Sequence, residues 1–258
     1  MPTNPNNTQS IQRAFLILSC FSHETPMLRV NDIAKQLELT PSTVSRHLST
    51  MLDMNFVERD SETGAYRLGT EIITLAGVSL HSHAIYRHSY PILQELSLKT
   101  NLHCSLGIPQ GGDIIHLISV GPEDTLDLFS PIGYHHSLPC CAIGRVILAN
   151  YPPQEVQRLL FEKPIQPYTP LTVTNPSELL KVIETVHTLG YAKMINELTL
   201  GKSSIAAPVF GTHRAILGGI SLSGTTSNLD LAKRENELSQ IVIETARRIS
   251  AKMGYFQR

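Results

Sequence analysis

The segment Val30-Asn-Asp-Ile-Ala-Lys-Gln-Leu-Glu-Leu-Thr-Pro-Ser-Thr-Val-Ser-Arg-His-Leu-Ser-Thr-Met-Leu52 contains two short stretches with helical periodicity. Their apolar residues recur three or four positions apart, which predicts two helices packed together. Those residues are Ile33, Ala34, Leu37, Val44 and Leu48. Asn31 is a candidate N-cap of the first helix, and Thr40 of the second, with Pro41 where the missing N–H costs least. This pattern predicts a helix-turn-helix, whose second helix can enter the major groove of DNA.

The second helix has a polar solvent face that suits contacts with bases and phosphates. Ser42, Thr43, Ser45, Arg46 and His47 lie in its N-terminal half, where the helix dipole also favours phosphate. We therefore predict that these five residues bind DNA. The alternative left open at this stage is a helical hairpin that only packs against its own domain.

The chain on both sides of this helix pair completes a larger unit. Apolar residues between positions 11 and 21 recur at helical spacing, which predicts a preceding helix. Two extended stretches flank the turn-forming segment Asp60-Ser-Glu-Thr-Gly64, which predicts a β-hairpin over residues 56–69. Three helices followed by a hairpin form a winged helix-turn-helix. Residues 1–69 are thus the predicted DNA-binding domain, with Arg59 and Arg67 of the wing on the DNA backbone.

The net charge of this domain affects how tightly a single copy would bind DNA. Residues 1–75 carry six basic and eight acidic side chains, a net charge of −2. Release of counterions from phosphates supplies much of the affinity for DNA, so a single copy would bind weakly. We therefore expect a homodimer, which doubles the phosphate contacts.

The remainder of the chain changes character. An apolar helical stretch over residues 70–87 is the predicted linker helix, followed by a break near Pro91. Residues 88–258 then alternate between strands and helices and predict a second, α/β or α+β domain. The expected strands cover residues 102–108, 113–120, 125–130, 191–196, 203–210 and 215–223, and the expected helices 141–150, 153–162, 176–189 and 230–253. The fold class of the whole chain is α+β.

Composition narrows the class of protein. The 258 residues are 41% hydrophobic and 17% charged, with a formal net charge of −1, which is typical of a globular protein and excludes disorder as the main state. There is no apolar run of membrane-spanning length and no signal peptide at the N-terminus, so we expect a cytoplasmic protein without a membrane partner. The four cysteines form no CxxC pair, and we expect reduced thiols.

A turn that opens a helix at residues 138–149 is the first candidate ligand site. The backbone N–H groups at the start of this helix, over Cys141, Ala142, Ile143 and Gly144, can face an anion such as a carboxylate. The alternative is that the small residues Ala142 and Gly144 only allow the helix to pack closely on the sheet.

Three serines form the second candidate ligand site. Alternation along a strand places Ser221 and Ser223 on one face, and Ser204 can face the same way from a neighbouring strand. Hydroxyl groups on an inner sheet face are typical of the polar end of a pocket. Ordinary solvent-facing serines are the alternative.

Both halves of the chain resemble the IclR family of bacterial transcription regulators. The similarity rests on motifs spread over residues 10 to 255: Ser42-Thr43-Val44-Ser45-Arg46, Leu138-Pro139, Ala142-Ile143-Gly144-Arg145, Leu148-Ala149, Leu189-Gly190-Tyr191, Glu197, Gly201, Ile205-Ala206-Ala207-Pro208-Val209 and Ile220-Ser221-Leu222-Ser223-Gly224. The resemblance implies a GAF-like effector-binding domain and a homodimer or a dimer of dimers. It also implies a small ligand, commonly a carboxylate, held by residues 141–144 and by Ser204, Ser221 and Ser223.

The chain departs from the family pattern at positions that bear on the ligand. Met194 stands where members that sense small keto acids often carry an acidic residue, and Ser204 where cysteine is common. We expect an effector from carbon catabolism, a small organic acid, bound without a cofactor, and a regulator, repressor or activator, of catabolic genes. Leu106, Phe129, Ile143 and Met194 are candidate apolar walls.

Two other functions remain open at this stage. A metal-responsive regulator would draw ligands from His81, His83, His88, His135, His136, Cys140 and Cys141, although none of these groups has a standard zinc-site spacing. An enzyme acting on a small acid would need a nucleophile and a base, such as Ser204 or Cys140 with His136. The sequence contains no nucleophile elbow, P-loop or dinucleotide-binding motif, so we expect no catalytic residues.

Overall fold

The computed structural model describes residues 9–122, 130–162 and 164–256. Its internal contacts divide the chain into two units, the first ending at Ser82 and the second beginning at His83. The described helices include none that is both long enough and apolar enough to cross a membrane.

The first unit contains three helices, a two-stranded hairpin and a fourth helix. Their bounds are α1 Gln9–Leu18, α2 Val30–Gln36, α3 Pro41–Asp53, β1 Val57–Arg59, β2 Tyr66–Leu68 and α4 Thr70–Ser82. The strands β1 and β2 pair antiparallel, with Val57 opposite Leu68. The predicted order of three helices and a hairpin is confirmed.

A small apolar core holds this unit together. Ile17, Ile33, Val44, Leu48 and Val57 come from α1, α2, α3 and β1, and all are fully buried. Each fully buried side chain of this size stabilises the fold by about 1.5–3 kcal/mol relative to an exposed one. The core therefore fixes the crossing of α2 and α3.

The predicted N-cap residue is confirmed for α3 and is wrong for α2. Thr40 is the N-cap of α3, and its Oγ1 accepts a hydrogen bond from the Thr43 backbone N–H at 3.3 Å. Asn31 is not the N-cap of α2, because the helix begins at Val30 and Arg29, two residues earlier, is its N-cap. The reason is Asp32, whose carboxylate accepts a hydrogen bond from the Arg29 backbone N–H at 3.0 Å and so holds that residue outside the helix.

The second unit begins with helix α5, Ala84–Thr100. The predicted helix break near Pro91 is wrong, because Pro91 lies inside α5 and the break falls at His83, whose backbone is extended. A proline within a helix removes one backbone hydrogen bond. Burial of Ile92, Leu93 and Leu96 in the turns that follow compensates for that loss.

Among the described residues, six antiparallel strands form the sheet of the second unit. They are β3 His103–Gln110, β4 Asp113–Val120, β5 His135–Ser137, β6 Ala192–Ile195, β7 Lys202–Phe210 and β8 Ile216–Thr225, in the order β5-β4-β3-β8-β7-β6. The strand expected over residues 125–130 falls mainly on positions 123–129, which lie outside the described residues. The sequence analysis did not anticipate β5, which is only three residues long.

Five helices complete the second unit: α6 Ala142–Leu148, α7 Pro153–Phe161, α8 Pro176–Leu189, α9 Thr226–Leu229 and α10 Leu231–Lys252. A short 3-10 turn, Leu138–Cys140, leads into α6. An apolar cluster joins α6, α7 and α8 to the sheet residues Met194 and Ala206. The helix α6 also packs against β8, where a Cβ on Gly219 would lie 3.0 Å from Val146. The sheet thus has α6 close to the face that carries the predicted ligand-binding serines.

Candidate DNA-binding and ligand-binding sites

The recognition helix α3 presents most of its predicted DNA-binding residues to solvent. Ser42, Ser45 and Arg46 are exposed, and Thr43 is half-buried. The Thr43 hydroxyl lies 2.8 Å from the Thr40 hydroxyl, so part of its hydrogen-bonding capacity serves the helix start. Arg46 is the one of these residues that carries a positive charge.

The position of His47 differs from the prediction, which placed its side chain on the solvent face of α3 in contact with DNA. Its side chain is half-buried, and Nε2 is buried without a hydrogen-bond partner among the described residues. Burial lowers the pKa of His47, and the nearby charges of Arg46 and Arg13 lower it further. The ring is therefore neutral at pH 7 and turns its Nε2 away from solvent.

The wing arginines have different surroundings. Arg59 is exposed, and its guanidinium lies 5.7 Å from the centre of the Tyr66 ring. Arg67 donates from Nε and Nη2 to Glu58 Oε2 at 2.9 and 2.8 Å. Because this carboxylate offsets the charge of Arg67, Arg59 offers DNA the stronger unpaired charge of the two.

The second unit contains a cavity of about 280 Å³ next to the start of α6. It is lined by all but one of the residues predicted to bind the effector: Cys141, Ala142, Ile143, Met194, Ser204, Ser221 and Ser223. The candidate wall Ile143 is therefore part of the lining, while Leu106 is fully buried and does not reach it. Phe129 lies outside the described residues.

The strand register explains why these side chains come together. Met194 on β6 lies opposite Ser204 on β7, Ser204 opposite Ser223 on β8, and Ser223 opposite His103 on β3. Directly opposed residues of antiparallel strands share a face. One row of side chains thus crosses four strands beneath the cavity.

Gly144 does not line the cavity, in contrast to the prediction. Its N–H donates to the Sγ of Cys141 at 3.3 Å, within the first turn of α6. A Cβ at this position would lie only 2.0 Å from the Leu138 carbonyl oxygen. Gly144 therefore allows α6 to pack against the preceding turn, whereas the alternative left open by the sequence was close packing on the sheet.

Two of the predicted cavity serines, Ser221 and Ser223, have hydrogen-bond partners within the protein. The hydroxyls of Ser221 and Ser105 lie 2.8 Å apart. His103 bonds Ser223 Oγ through Nδ1 at 3.1 Å and Ser119 Oγ through Nε2 at 3.0 Å. These polar side chains support one another across the sheet.

Three histidines in the lining were not predicted as effector contacts: His103, His116 and His136. A β-bulge places His116 there. Leu106 pairs with Ile118, but the next residue, Gly107, pairs with His116, so β4 holds one extra residue at this point. A bulge of this kind moves the following side chains to the other face of the sheet. Strict alternation along β4 would have predicted that His116 and Ser119 face opposite ways.

Burial keeps the three imidazoles neutral. It lowers the pKa of His103 and of His136 to about 4, and that of His116 to about 3. Neighbouring positive charge is a secondary cause: it comes from Lys202 for His103, and for His116 mainly from His136 once that ring is protonated in acid. At neutral pH each ring therefore has one N–H and one bare nitrogen.

A buried ion pair lies beside the cavity. Arg145 is 1% exposed, and its Nη1 and Nη2 donate to the two carboxylate oxygens of Glu197 at 3.0 and 2.5 Å. Its Nε donates to the Pro139 carbonyl at 3.0 Å. Glu197 lines the cavity, so Arg145 offsets its negative charge there. The sequence flagged both residues only as parts of family motifs.

The described residues contain no group of three or more side chains placed to hold a metal ion. Burial raises the pKa of Cys140 to about 11 and that of Cys141 to about 12, so both remain thiols at neutral pH. Thiolates are the form that binds zinc, so neither cysteine is in that form in the ligand-free protein at neutral pH.

Comparison with known proteins also separates a DNA-binding N-terminal part of the chain from a second, C-terminal part. The model of the IclR helix-turn-helix domain matches residues 10–61, and that of the bacterial transcriptional regulator IclR C-terminal region matches residues 77–251. The HTH-type transcriptional regulator BhcR of Paracoccus denitrificans is 31% identical over 246 residues, which cover 95% of this chain and 88% of BhcR.

Solved structures show the same fold. The IclR protein of Thermotoga maritima superposes with a TM-score of 0.78 at 25% identity, covering 96% of this chain and all of that one. An IclR homologue of Microbacterium hydrocarbonoxydans, crystallised with 4-hydroxybenzoate, gives a TM-score of 0.83 at 19% identity over 95% of this chain and 99% of its own. A helix-turn-helix with an exposed arginine, and matches to family models over both halves, lead to one assignment. The chain belongs to the IclR family and is a DNA-binding transcriptional regulator rather than an enzyme.

Proposed function

We propose that this regulator is controlled by a small organic acid, which binds in the cavity of the second unit and changes the affinity of the protein for operator DNA. The observation that supports this proposal is the cavity itself. Residues from β6, β7, β8 and α6 that are far apart in sequence line one space at the position where the sequence predicts an effector. Its lining combines apolar walls with polar groups, as ligand sites commonly do.

The charges of the lining favour an acid. Lys202 is the cationic side chain among the lining residues, and the carboxylate of Glu197 is paired with Arg145. An entering carboxylate thus meets one cation and hydroxyl donors, with its repulsion from Glu197 reduced. An effector from carbon catabolism, and catabolic genes as targets, fit this chemistry.

We propose that the chain acts as a homodimer or a dimer of dimers and as a repressor. The apolar residues of α4 support self-association, because Ile73, Leu75 and Val78 are 72%, 50% and 68% exposed. Exposed apolar side chains on one helix favour a partner surface. In this scheme residues 1–69 bind DNA, residues 70–87 connect, and residues 88–258 bind ligand and partner.

Two measurements test the proposal. DNA duplexes enriched by the full-length protein from a random pool supply an operator sequence without knowledge of the target genes. A panel of small organic acids is then screened by thermal shift, since a ligand at one hundred times its Kd stabilises the native state by about 2.7 kcal/mol. We expect an acid that raises the melting temperature and lowers the affinity for the selected duplex. If no acid stabilises the protein, or if a stabilising acid leaves DNA binding unchanged, the proposal is wrong.

A further inference from the structure

Three ring nitrogens in the cavity have no hydrogen-bond partner among the described residues. His116 and His136 are 5% and 8% exposed, and both line the cavity. Nδ1 and Nε2 of His116, and Nδ1 of His136, make no hydrogen bond with any described residue. The other nitrogen of His136 has a partner, since Nε2 lies 2.9 Å from the Ser130 hydroxyl.

Such atoms are costly to the folded protein. A buried polar group without a hydrogen bond loses its contacts with water and gains nothing in return. His103, in the same cavity, shows the usual arrangement, because serine hydroxyls occupy both of its ring nitrogens. The unpartnered nitrogens of His116 and His136 therefore indicate atoms that a ligand satisfies.

The chemistry of a neutral imidazole limits what that ligand can be. Its N–H needs an acceptor, and its bare nitrogen needs a donor. A carboxylate offers only acceptors, so it can satisfy the N–H of His116 but not the bare nitrogen. A hydroxyl group both donates and accepts, and it can serve the two kinds of nitrogen that His116 and His136 present.

We propose that the effector is a hydroxylated organic acid, and that its hydroxyl groups hydrogen-bond the free ring nitrogens of His116 and His136. This inference rests on the proposed function, because it names the chemical class of the acid in the same cavity. His116 and His136 face each other at 5.4 Å between ring centres, in an edge-to-face arrangement. One ligand group can therefore reach both rings.

Matched pairs of acids test the proposal on the unmodified full-length protein. Each pair has the same carbon skeleton and acid groups and differs only in hydroxyls: hexanoate and gluconate, adipate and galactarate, benzoate and 4-hydroxybenzoate. Affinities are measured by isothermal titration calorimetry. We expect at least one hydroxylated acid to bind about tenfold or more tightly than its partner, the effect of one or two hydrogen bonds.

The variant His116→Phe gives a second readout. It removes two unpartnered nitrogens and keeps a ring of similar size, so we expect loss of the preference for the hydroxylated acid together with a higher melting temperature of the ligand-free protein. The control is His187→Phe, because Nδ1 of His187 is already bonded to the Ala149 carbonyl at 2.6 Å and this residue is outside the cavity lining. The control should lower the melting temperature and keep the preference.

The possible outcomes separate this inference from the function it rests on. Equal or tighter binding of the acids without hydroxyls overturns the hydroxyl assignment but leaves an acid effector in place. Failure of all six acids to bind, or stoichiometric binding of zinc that His116→Phe abolishes, overturns it as well. The affinity of the unmodified protein for the selected duplex is measured separately. If the protein does not bind this duplex, the DNA-binding function is contradicted instead. If His116→Phe does not fold, the matched pairs still decide.

Discussion

At the scale of single residues, Arg46 carries the positive charge with which α3 meets DNA. Its side chain is exposed, and no ion pair to it occurs among the described residues. We expect Arg46→Ala to weaken binding to the selected duplex by about 1–3 kcal/mol at fixed salt, because a charge-assisted contact is lost. Fluorescence anisotropy measures this change.

The control Arg158→Ala removes an exposed charge from α7 in the other unit, and its affinity should match that of the unmodified protein. Unchanged affinity of a folded Arg46→Ala variant would show that this residue does not contact DNA.

The buried histidines make stability depend on pH. Their pKa values are lowered to about 3 for His116 and about 4 for His103 and His136, against 6.5 for an exposed ring. Between these values the unfolded chain binds protons that the folded chain does not. Stability therefore is full above pH 6.5 and falls as the pH drops toward 4, by up to about 1.4 kcal/mol per pH unit for each ring.

Calorimetric melting of the ligand-free protein between pH 7.5 and 4.5 checks this expectation. The melting temperature should decrease toward acid pH, and the decrease should be shallower for His116→Phe, which lacks one of the three rings. A melting temperature independent of pH over this range would mean that the rings are solvated and titrate normally.

At the scale of the helix, the side chain that caps α3 affects the stability of the fold. Thr40 stabilises the start of α3 through its hydrogen bond to the Thr43 N–H. We expect Thr40→Ala to reduce the free energy of unfolding by about 1 kcal/mol, the usual cost of a lost N-cap. Ser49→Ala, at an exposed position in the same helix, is the control and should change stability little. Urea denaturation followed by circular dichroism measures both. Equal stabilities of the two variants would show that the cap does not hold this helix.

At the scale of the whole molecule, we propose that the DNA-binding unit needs a second copy of the chain to bind DNA tightly, because residues 1–75 carry a net charge of −2. Val78 on α4 is 68% exposed. If α4 packs against the same helix of a partner, Val78→Glu places a charge in that interface and should shift the protein toward monomers. We expect sedimentation velocity to show this shift and the affinity for the duplex to fall at least about tenfold. Leu98→Glu, at another exposed apolar position, is the control and should stay dimeric. A dimeric Val78→Glu variant with normal affinity would place the partner surface elsewhere.

The sequence by itself determined the winged helix-turn-helix and most elements of the second domain. These features depend on local interactions: apolar spacing sets the helices, Thr40 and Pro41 set the start of α3, and the turn at residues 60–64 sets the hairpin. The alternation of Ser221 and Ser223 along one strand is equally local. The same reasoning failed at Pro91, where packing of the following helical turns outweighs the loss of one hydrogen bond.

Only the tertiary structure decided that histidines and a buried ion pair join the predicted residues at the cavity. A single extra residue in β4 turns His116 to the face of the sheet that lines the cavity, and the three-residue strand β5 brings His136 beside it. Neither feature has a recognisable local pattern, because a bulge depends on pairing with β3 and a short strand on pairing with β4. Likewise, Arg145 and Glu197 are 52 positions apart, and only the fold makes them a buried pair. The periodicity of the sequence shows on which face of a helix or strand a residue lies. Pairing between these elements determines which side chains come together in the site.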